Sequence, residues 1–122
     1  MSRILVLDPP VWGERCPALF TAPSHEVVSC RDREALVSAF SERRPRVLVY
    51  VLQELARDVE LLSAIRSAAP RLPIILLGEP ATLEARRLIQ DLKPTYYGVF
   101  PLDGMELEEA VSAALDSGAP AA

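Results

Sequence analysis

Short apolar runs alternate with longer amphipathic segments along this chain. The apolar runs are rich in branched side chains, and each gives way to a polar residue, Gly or Pro, which is typical of β-strands. The run at 46–52 is apolar on both faces, as expected for a central strand of a sheet covered on both sides. The predicted strands are residues 3–7, 25–30, 46–52, 73–77 and 96–100.

The segments between these strands carry apolar residues at helical spacing and predict four helices. Asp32 and Asp103 stand where the first and last helices would need an N-cap. Gly and Pro interrupt residues 11–24, which predicts only a short or irregular helix there. The predicted helices are residues 32–44, 58–69, 82–92 and 103–117.

The periodicity also predicts which helical side chains are buried. The first helix should turn Leu36, Val37 and Phe40 towards the sheet. The inward positions of the third helix should be Ala85, Leu88, Ile89 and Leu92.

Alternating strands and helices predict an α/β fold, because a right-handed crossover joins each pair of parallel strands. For five strands we expect a flavodoxin-like doubly wound sheet of order 2-1-3-4-5, with helices on both faces. One domain should span residues 1–117, and residues 118–122 have the composition of a flexible tail or linker. Function in such folds gathers at the carboxyl ends of the strands.

Charge and composition exclude several classes of function. The 17 acidic residues outnumber the 13 Lys and Arg, which argues against direct binding of nucleic acid. Two cysteines, Cys16 and Cys30, match neither a disulfide framework nor a metal motif. No apolar run is long enough to cross a membrane, so we expect a cytoplasmic protein.

From Arg3 to about Ser117 the chain resembles the receiver domain of bacterial two-component response regulators. The resemblance places two magnesium-binding acids after the first strand, where this chain has Asp8 and Pro9. It places the phosphate-accepting aspartate at the end of the third strand, where this chain has Val51. One acid of the three is therefore retained.

Two further active-site positions depart from the same pattern. The fourth strand ends at Gly78, where receivers have a Ser or Thr that contacts the phosphoryl group. The segment from Tyr97 to Pro101 resembles the receiver pattern Tyr-x-x-Lys-Pro, but Phe100 replaces the phosphate-gripping lysine. The resemblance thus implies the receiver fold with a degenerate phosphorylation site.

The replaced residues remove the chemistry of phosphoryl transfer. Val51 has no atom that can attack phosphorus, and Phe100 carries no charge to offset a phosphate. A single carboxylate, Asp8, beside two prolines is a poor host for magnesium, which prefers several oxygen ligands. We therefore predict no enzymatic activity, no cofactor and no bound metal.

The sequence favours a pseudo-receiver that acts in signal transduction by protein contacts. Its partner would be a signalling protein, an attached output domain or a second copy of the chain. Tyr97 with Arg86 and Arg87 is the predicted contact surface, because aromatic and Arg side chains are common interface anchors. Partial burial of the tyrosine beside solvated arginines explains the same residues equally well.

Two other functions stay open at this stage. A displaced acid such as Glu54 or Asp58 could accept a phosphoryl group, although acids at helix starts are usually caps. Alternatively, the apolar residues Val51 and Phe100 could open a pocket for a small ligand at the strand ends.

Overall fold

The computed structural model describes residues 2–7, 25–99 and 104–117. Its five strands are all parallel and lie in the order β2-β1-β3-β4-β5, which confirms the predicted flavodoxin-like topology. Within the described ranges no helix is long and apolar enough to cross a membrane. The strands are β1 (Ser2–Leu7), β2 (His25–Cys30), β3 (Val47–Val51), β4 (Ile74–Gly78) and β5 (Tyr96–Val99).

In the described part of the chain four helices connect or follow these strands, close to the predicted positions. The Asp32 carboxylate accepts a hydrogen bond from the Ala35 N–H at 2.8 Å, so the predicted N-cap of the first helix is confirmed. The Thr82 hydroxyl accepts from the Ala85 N–H at 3.2 Å and caps the third helix in the same way. The helices are α1 (Arg33–Glu42), α2 (Leu55–Ala68), α3 (Leu83–Asp91) and α4 (Gly104–Ser117).

The sheet separates two hydrophobic clusters because successive side chains of a strand point to opposite faces. Leu48 and Tyr50 of β3 belong to the cluster under α1, α2 and α3. Val49 and Val51 belong to the cluster under α4. All five residues of β3 are buried, as predicted for the central strand. The helices therefore cover both faces of the sheet.

Two predictions of helical burial are wrong. Val37 is 43% exposed and Leu88 is 44% exposed, although both were expected to face the sheet. In α1 the buried positions are Leu36 and Ala39, and this spacing leaves Val37 on the flank of the helix. In α3 only Ile89 is buried, so the contact stripe is narrower than the apolar composition suggested.

The predicted start of the second helix is also wrong. Asp58 was expected to open the helix, but α2 begins at Leu55, with Glu54 as its N-cap. The Asp58 N–H donates to the Glu54 carbonyl at 2.9 Å, which is the first α-helical bond of α2. Asp58 therefore lies within the first turn, and its side chain has a different task.

Arg66, in the last turn of α2, satisfies carbonyl groups at the amino edge of the sheet. Its guanidinium donates to the Leu72 carbonyl at 2.6 Å, to the Leu92 carbonyl at 3.0 Å and to the Lys93 carbonyl at 3.1 Å. Longer bonds reach the carbonyls of Ala69 and Pro70. Lys93, which follows the C-terminal end of α3, has a left-handed φ of 53°. Arg66 thus ties the C-terminal ends of α2 and α3 together.

Candidate functional site

Val51 occupies the end of β3, where the resemblance to receiver domains places the phosphate-accepting aspartate. Its side chain is 1% exposed and packs in the cluster that includes Val49 and Leu77. The sheet register places Val51 opposite Leu77 of β4. The position is thus part of the apolar core and presents no nucleophilic atom to solvent.

Gly78 ends β4 next to Val51's strand and is buried. A Cβ atom added at Gly78 would lie 3.4 Å from the Leu52 Cβ and 3.6 Å from the Tyr97 hydroxyl oxygen, which are ordinary contact distances. The position could therefore accept a small side chain, but it has no hydroxyl group of its own. Leu52 and Tyr97 bound the space that such a side chain would enter.

The remaining positions of the predicted degenerate site are Asp8, Pro9 and Phe100, and these lie outside the described residues. The predicted cap Asp103 and the segment 11–24 lie outside them as well. Val51 and Gly78 thus carry what the structure says about this site. Among residues 2–7, 25–99 and 104–117 no group of three or more His, Cys, Asp or Glu is arranged to hold a metal ion.

Tyr97 of β5 and Arg86 of α3, two of the three predicted contact residues, lie close together. The Tyr97 hydroxyl donates to the Glu79 carbonyl at 2.9 Å, while its ring packs against the cluster under α3. Burial raises the pKa of Tyr97, and the nearby positive charge of Arg86 opposes that shift. Arg86 and Arg87 are both exposed on α3. The hydroxyl group of Tyr97 therefore lies near the charges of both Arg86 and Glu79.

Exposed apolar side chains lie on the same elements. Leu83 of α3 is 68% exposed and Leu88 is partly exposed, while Val99 of β5 is exposed at the end of an edge strand. Large apolar side chains cost free energy in water, and grouped with Arg and Tyr they are typical of a docking surface. We refer to Leu83, Arg86, Arg87, Tyr97 and Val99 as the α3–β5 face.

A second constellation, which the sequence analysis did not identify, surrounds Asp58. The side chain of Asp58 is fully buried. Its Oδ2 accepts hydrogen bonds from the backbone N–H groups of Gln53 and Glu54, at 2.7 and 2.9 Å. Its Oδ1 accepts from the Tyr50 hydroxyl at 2.5 Å and from Nε and Nη2 of Arg33, at 3.1 and 3.0 Å. Five donors thus converge on one carboxylate, and we call these residues the Asp58 cluster.

The Asp58 cluster lies where the chain enters α2. Glu54, the N-cap residue of α2, makes no side-chain capping hydrogen bond. Asp58, in the first turn, reaches back to the N–H groups of Gln53 and Glu54, which precede the helix, and its negative charge is favoured by the helix dipole. Arg33, the first residue of α1, neutralises that charge. The cluster therefore joins α1, β3 and α2 at the carboxyl edge of the sheet.

Tyr50 acts in this cluster as a hydrogen-bond donor. Burial raises its pKa well above the ordinary value of 10.0, and the hydrogen bond to Asp58 raises it further. The phenol therefore stays protonated at neutral pH and donates to the Asp58 carboxylate.

The two acids considered as displaced phosphoacceptors differ sharply in accessibility. Both oxygens of Asp58 accept hydrogen bonds, and the side chain has no contact with solvent. The Glu54 side chain is 62% exposed, with Arg57 at 3.7 Å and Arg33 at 3.9 Å from its carboxylate. Of these two carboxylates, only that of Glu54 is open to a reagent in solution.

Comparisons with known proteins identify the fold. No protein-family model matches the chain, and no curated protein matches it in sequence. A response regulator from Thermotoga maritima superimposes with a TM-score of 0.81 at 13% identity, over 95% of this chain and 98% of that one. A response regulator receiver domain from Clostridium thermocellum gives a TM-score of 0.78 at 19% identity, over 95% of each chain.

Two further solved structures are similar over nearly the whole of this chain. The chemotaxis protein CheY4 of Vibrio cholerae has a TM-score of 0.75 at 16% identity, over 94% of this chain and 99% of that one. NtrX from Brucella abortus has a TM-score of 0.78 at 20% identity, over 95% of this chain but 26% of its own. The chain has the fold of response-regulator receiver domains, which confirms the fold that the resemblance implied.

Proposed function

We propose that this chain is a pseudo-receiver that acts in signal transduction through protein contacts and without aspartyl phosphorylation. The observation that carries the proposal is Val51, a fully packed apolar side chain at the strand end where receivers carry the acceptor. The proposal includes no catalytic step, no cofactor and no direct contact with nucleic acid. It includes a cytoplasmic location for the protein.

The surroundings of Val51 support the loss of phosphoryl transfer. The neighbouring strand ends at Gly78, which offers no hydroxyl group to a phosphoryl oxygen. A carboxylate at position 51 would be buried beside Val49 and Leu77. Burying an unpaired charge costs on the order of several kcal/mol, because the ion loses its hydration. Val51 and Gly78, at the ends of β3 and β4, are thus both buried.

The α3–β5 face supports the contact role. It combines an aromatic side chain, two arginines and exposed apolar groups, which are the residue types that anchor interfaces. The partner would be a signalling protein, an attached output domain or a second copy of this chain. The partial coverage of NtrX shows that a unit of this fold occurs within a longer chain, which favours the attached-domain version.

The absence of phosphorylation can be tested with a small phosphodonor. We expect no phosphoryl adduct by intact-mass analysis after incubation with acetyl phosphate and Mg²⁺. An adduct on the wild-type chain would overturn the proposal. The variants Glu54→Gln and Asp58→Asn would then show which displaced acid accepts the group, because only loss of the true acceptor abolishes the adduct.

The contact role can be tested by comparing two pairs of substitutions. We expect Arg86→Ala with Arg87→Ala, and separately Tyr97→Ala, to abolish capture of a signalling partner from native cells. The matched control is Arg31→Ala with Arg71→Ala, which removes the same charge from exposed positions outside the α3–β5 face. Equal capture by both arginine pairs would rule out this face as the docking surface.

A further inference from the structure

The donors of the Asp58 cluster have the composition of an anion-binding site. Two backbone N–H groups at a helix N-terminus, a guanidinium with two N–H groups and a phenol hydroxyl all point at one buried position. Such donors bind carboxylate or phosphate oxygens when they are supplied in solution. Here the chain supplies the anion itself, through Asp58.

The donors lie in the β3–α2 loop, in β3 and at the start of α1, so the Asp58 carboxylate links these three segments. Gln53 and Glu54 belong to the loop that follows Val51, and Arg33 opens α1. Without an acceptor the buried donors would lose their hydrogen bonds, which is costly in a desolvated site. The loop and the start of α1 therefore keep this arrangement as long as an anion fills the position.

We propose that Asp58 is a built-in anionic ligand that holds the β3–α2 loop and the first turn of α1 in one arrangement, without phosphate, metal or partner. The inference deepens the proposed function and rests on it, because a pseudo-receiver without phosphorylation needs no external anion to order this edge. The β3–α2 loop and the first turn of α1 are then constitutively in their folded arrangement. Within the Asp58 cluster, small anions in solution have no vacant position to fill.

Chemical rescue tests the inference. In Asp58→Ala the donors remain and the carboxylate is gone, so formate should raise the thermal midpoint in a saturable manner. Wild type should show no such rise, because Asp58 already fills the position. Sodium chloride at equal ionic strength controls for general salt effects, and Asp32→Ala is the matched variant, since it removes an exposed carboxylate cap from α1. An equal response to formate in Asp32→Ala and Asp58→Ala would overturn the inference.

Amide hydrogen exchange measures the loop directly. In wild type the amides of Gln53 and Glu54 should be protected, and in Asp58→Ala both should exchange at least about tenfold faster, with formate restoring protection. If Asp58→Ala does not fold, Asp58→Asn provides the measurement, because an amide cannot accept from all five donors. Unchanged protection of Gln53 and Glu54 in the folded variant would overturn the inference.

The outcome is separable from that of the proposed function. Exchange and rescue are measured with no phosphodonor and no partner, so a negative result for the Asp58 cluster leaves the phosphorylation test unaffected. Conversely, an adduct on wild-type Glu54 would overturn the proposed function while the exchange at Gln53 still reports on the Asp58 cluster.

Discussion

At each end of α2 one charged side chain forms hydrogen bonds with backbone groups, and the two charges are opposite. At the N-terminal end, the buried Asp58 carboxylate accepts from backbone N–H groups; at the C-terminal end, the half-buried Arg66 guanidinium donates to carbonyl groups. Each charge is favoured by the helix dipole at its own end. Each also reaches a second helix, because Asp58 binds Arg33 of α1 and Arg66 binds the carbonyl that follows α3.

The two ends differ in how far water can replace the charged group. Asp58 is fully buried, and its removal would leave a guanidinium and a phenol facing an empty site. Two of the bonds made by Arg66, to Pro70 and Lys93, lie at exposed positions where water can take over. We therefore expect the five hydrogen bonds of Asp58 and the five of Arg66 to stabilise the fold unequally. Four measurements sharpen or break this comparison.

The largest loss of stability should follow Asp58→Ala. We expect about 3 kcal/mol less free energy of unfolding, at the lower end of the range for a broken buried pair, because Arg33 keeps some contact with water. Urea denaturation measures it. A loss no larger than that of Asp32→Ala would show that burial does not distinguish the two carboxylates.

Replacing Arg66 by Met should have a smaller effect, because methionine keeps the apolar stem of the side chain. We expect a loss of about 2 kcal/mol, since the carbonyls nearest to solvent regain hydrogen bonds to water. Arg71→Met, at an exposed position, is the matched control and should change stability by less than about 0.5 kcal/mol. If Arg66→Met costs more than Asp58→Ala, the ordering of the two ends is reversed.

Tyr50→Phe should cost about 1.5 kcal/mol at neutral pH, because one hydrogen bond to a charged acceptor is lost. It should also change the alkaline behaviour. The folded pKa of Tyr50 is raised, so its contribution is present below the unfolded pKa of about 10 and is lost as the pH rises through the folded value.

Alkaline titration of stability therefore separates the variant from wild type. Above about pH 10 the wild-type midpoint in urea should fall more steeply than that of Tyr50→Phe. Burial also raises the pKa of Tyr96, with a further contribution from Glu106, so Tyr96→Phe serves as the control and should flatten the slope less. Equal slopes for wild type and Tyr50→Phe would contradict the role of Tyr50 as a buried donor.

The smallest effects should come from the exposed caps. Asp32→Ala and Thr82→Ala each remove one side-chain bond to the third N–H of a helix and should each cost about 1 kcal/mol. Thermal unfolding measures both. If Asp32→Ala costs about as much stability as Asp58→Ala, hydrogen bonds to backbone N–H groups account for the contribution of Asp58 without any effect of burial.

The sequence predicts the strands and their order because both depend on local periodicity and on the handedness of crossovers. It also predicts the Asp32 cap, which spans only three residues. The burial of Val37 and Leu88 was wrong because their exposure depends on how the helix rotates against the sheet, which composition does not specify. Periodicity alone fixes a helix but not the width of its contact stripe.

The Asp58 cluster was not predictable from the sequence. An acid near a helix start signals a cap, and Asp58 was given that interpretation, but its bond to Arg33 joins residues 25 positions apart. Arg66 likewise reaches Leu92, which lies 26 positions later in the chain. No local pattern encodes such pairs, because the tertiary fold brings them together. Of the predicted phosphorylation-site positions, the structure describes Val51 and Gly78, and both are buried as a core residue and a strand end.

The parallel sheet has a consequence for how the chain folds. Neighbouring strands of the described sheet run in the same direction, so no pair can close as a hairpin, and a whole helix separates β3 from β4 and β4 from β5. Each strand pairing must close a long loop, and the conformational entropy is lost before the contacts between the strands stabilise the pair. We expect helical turns to form early and strand pairs late, so that refolding is slower than that of a helical bundle of the same length.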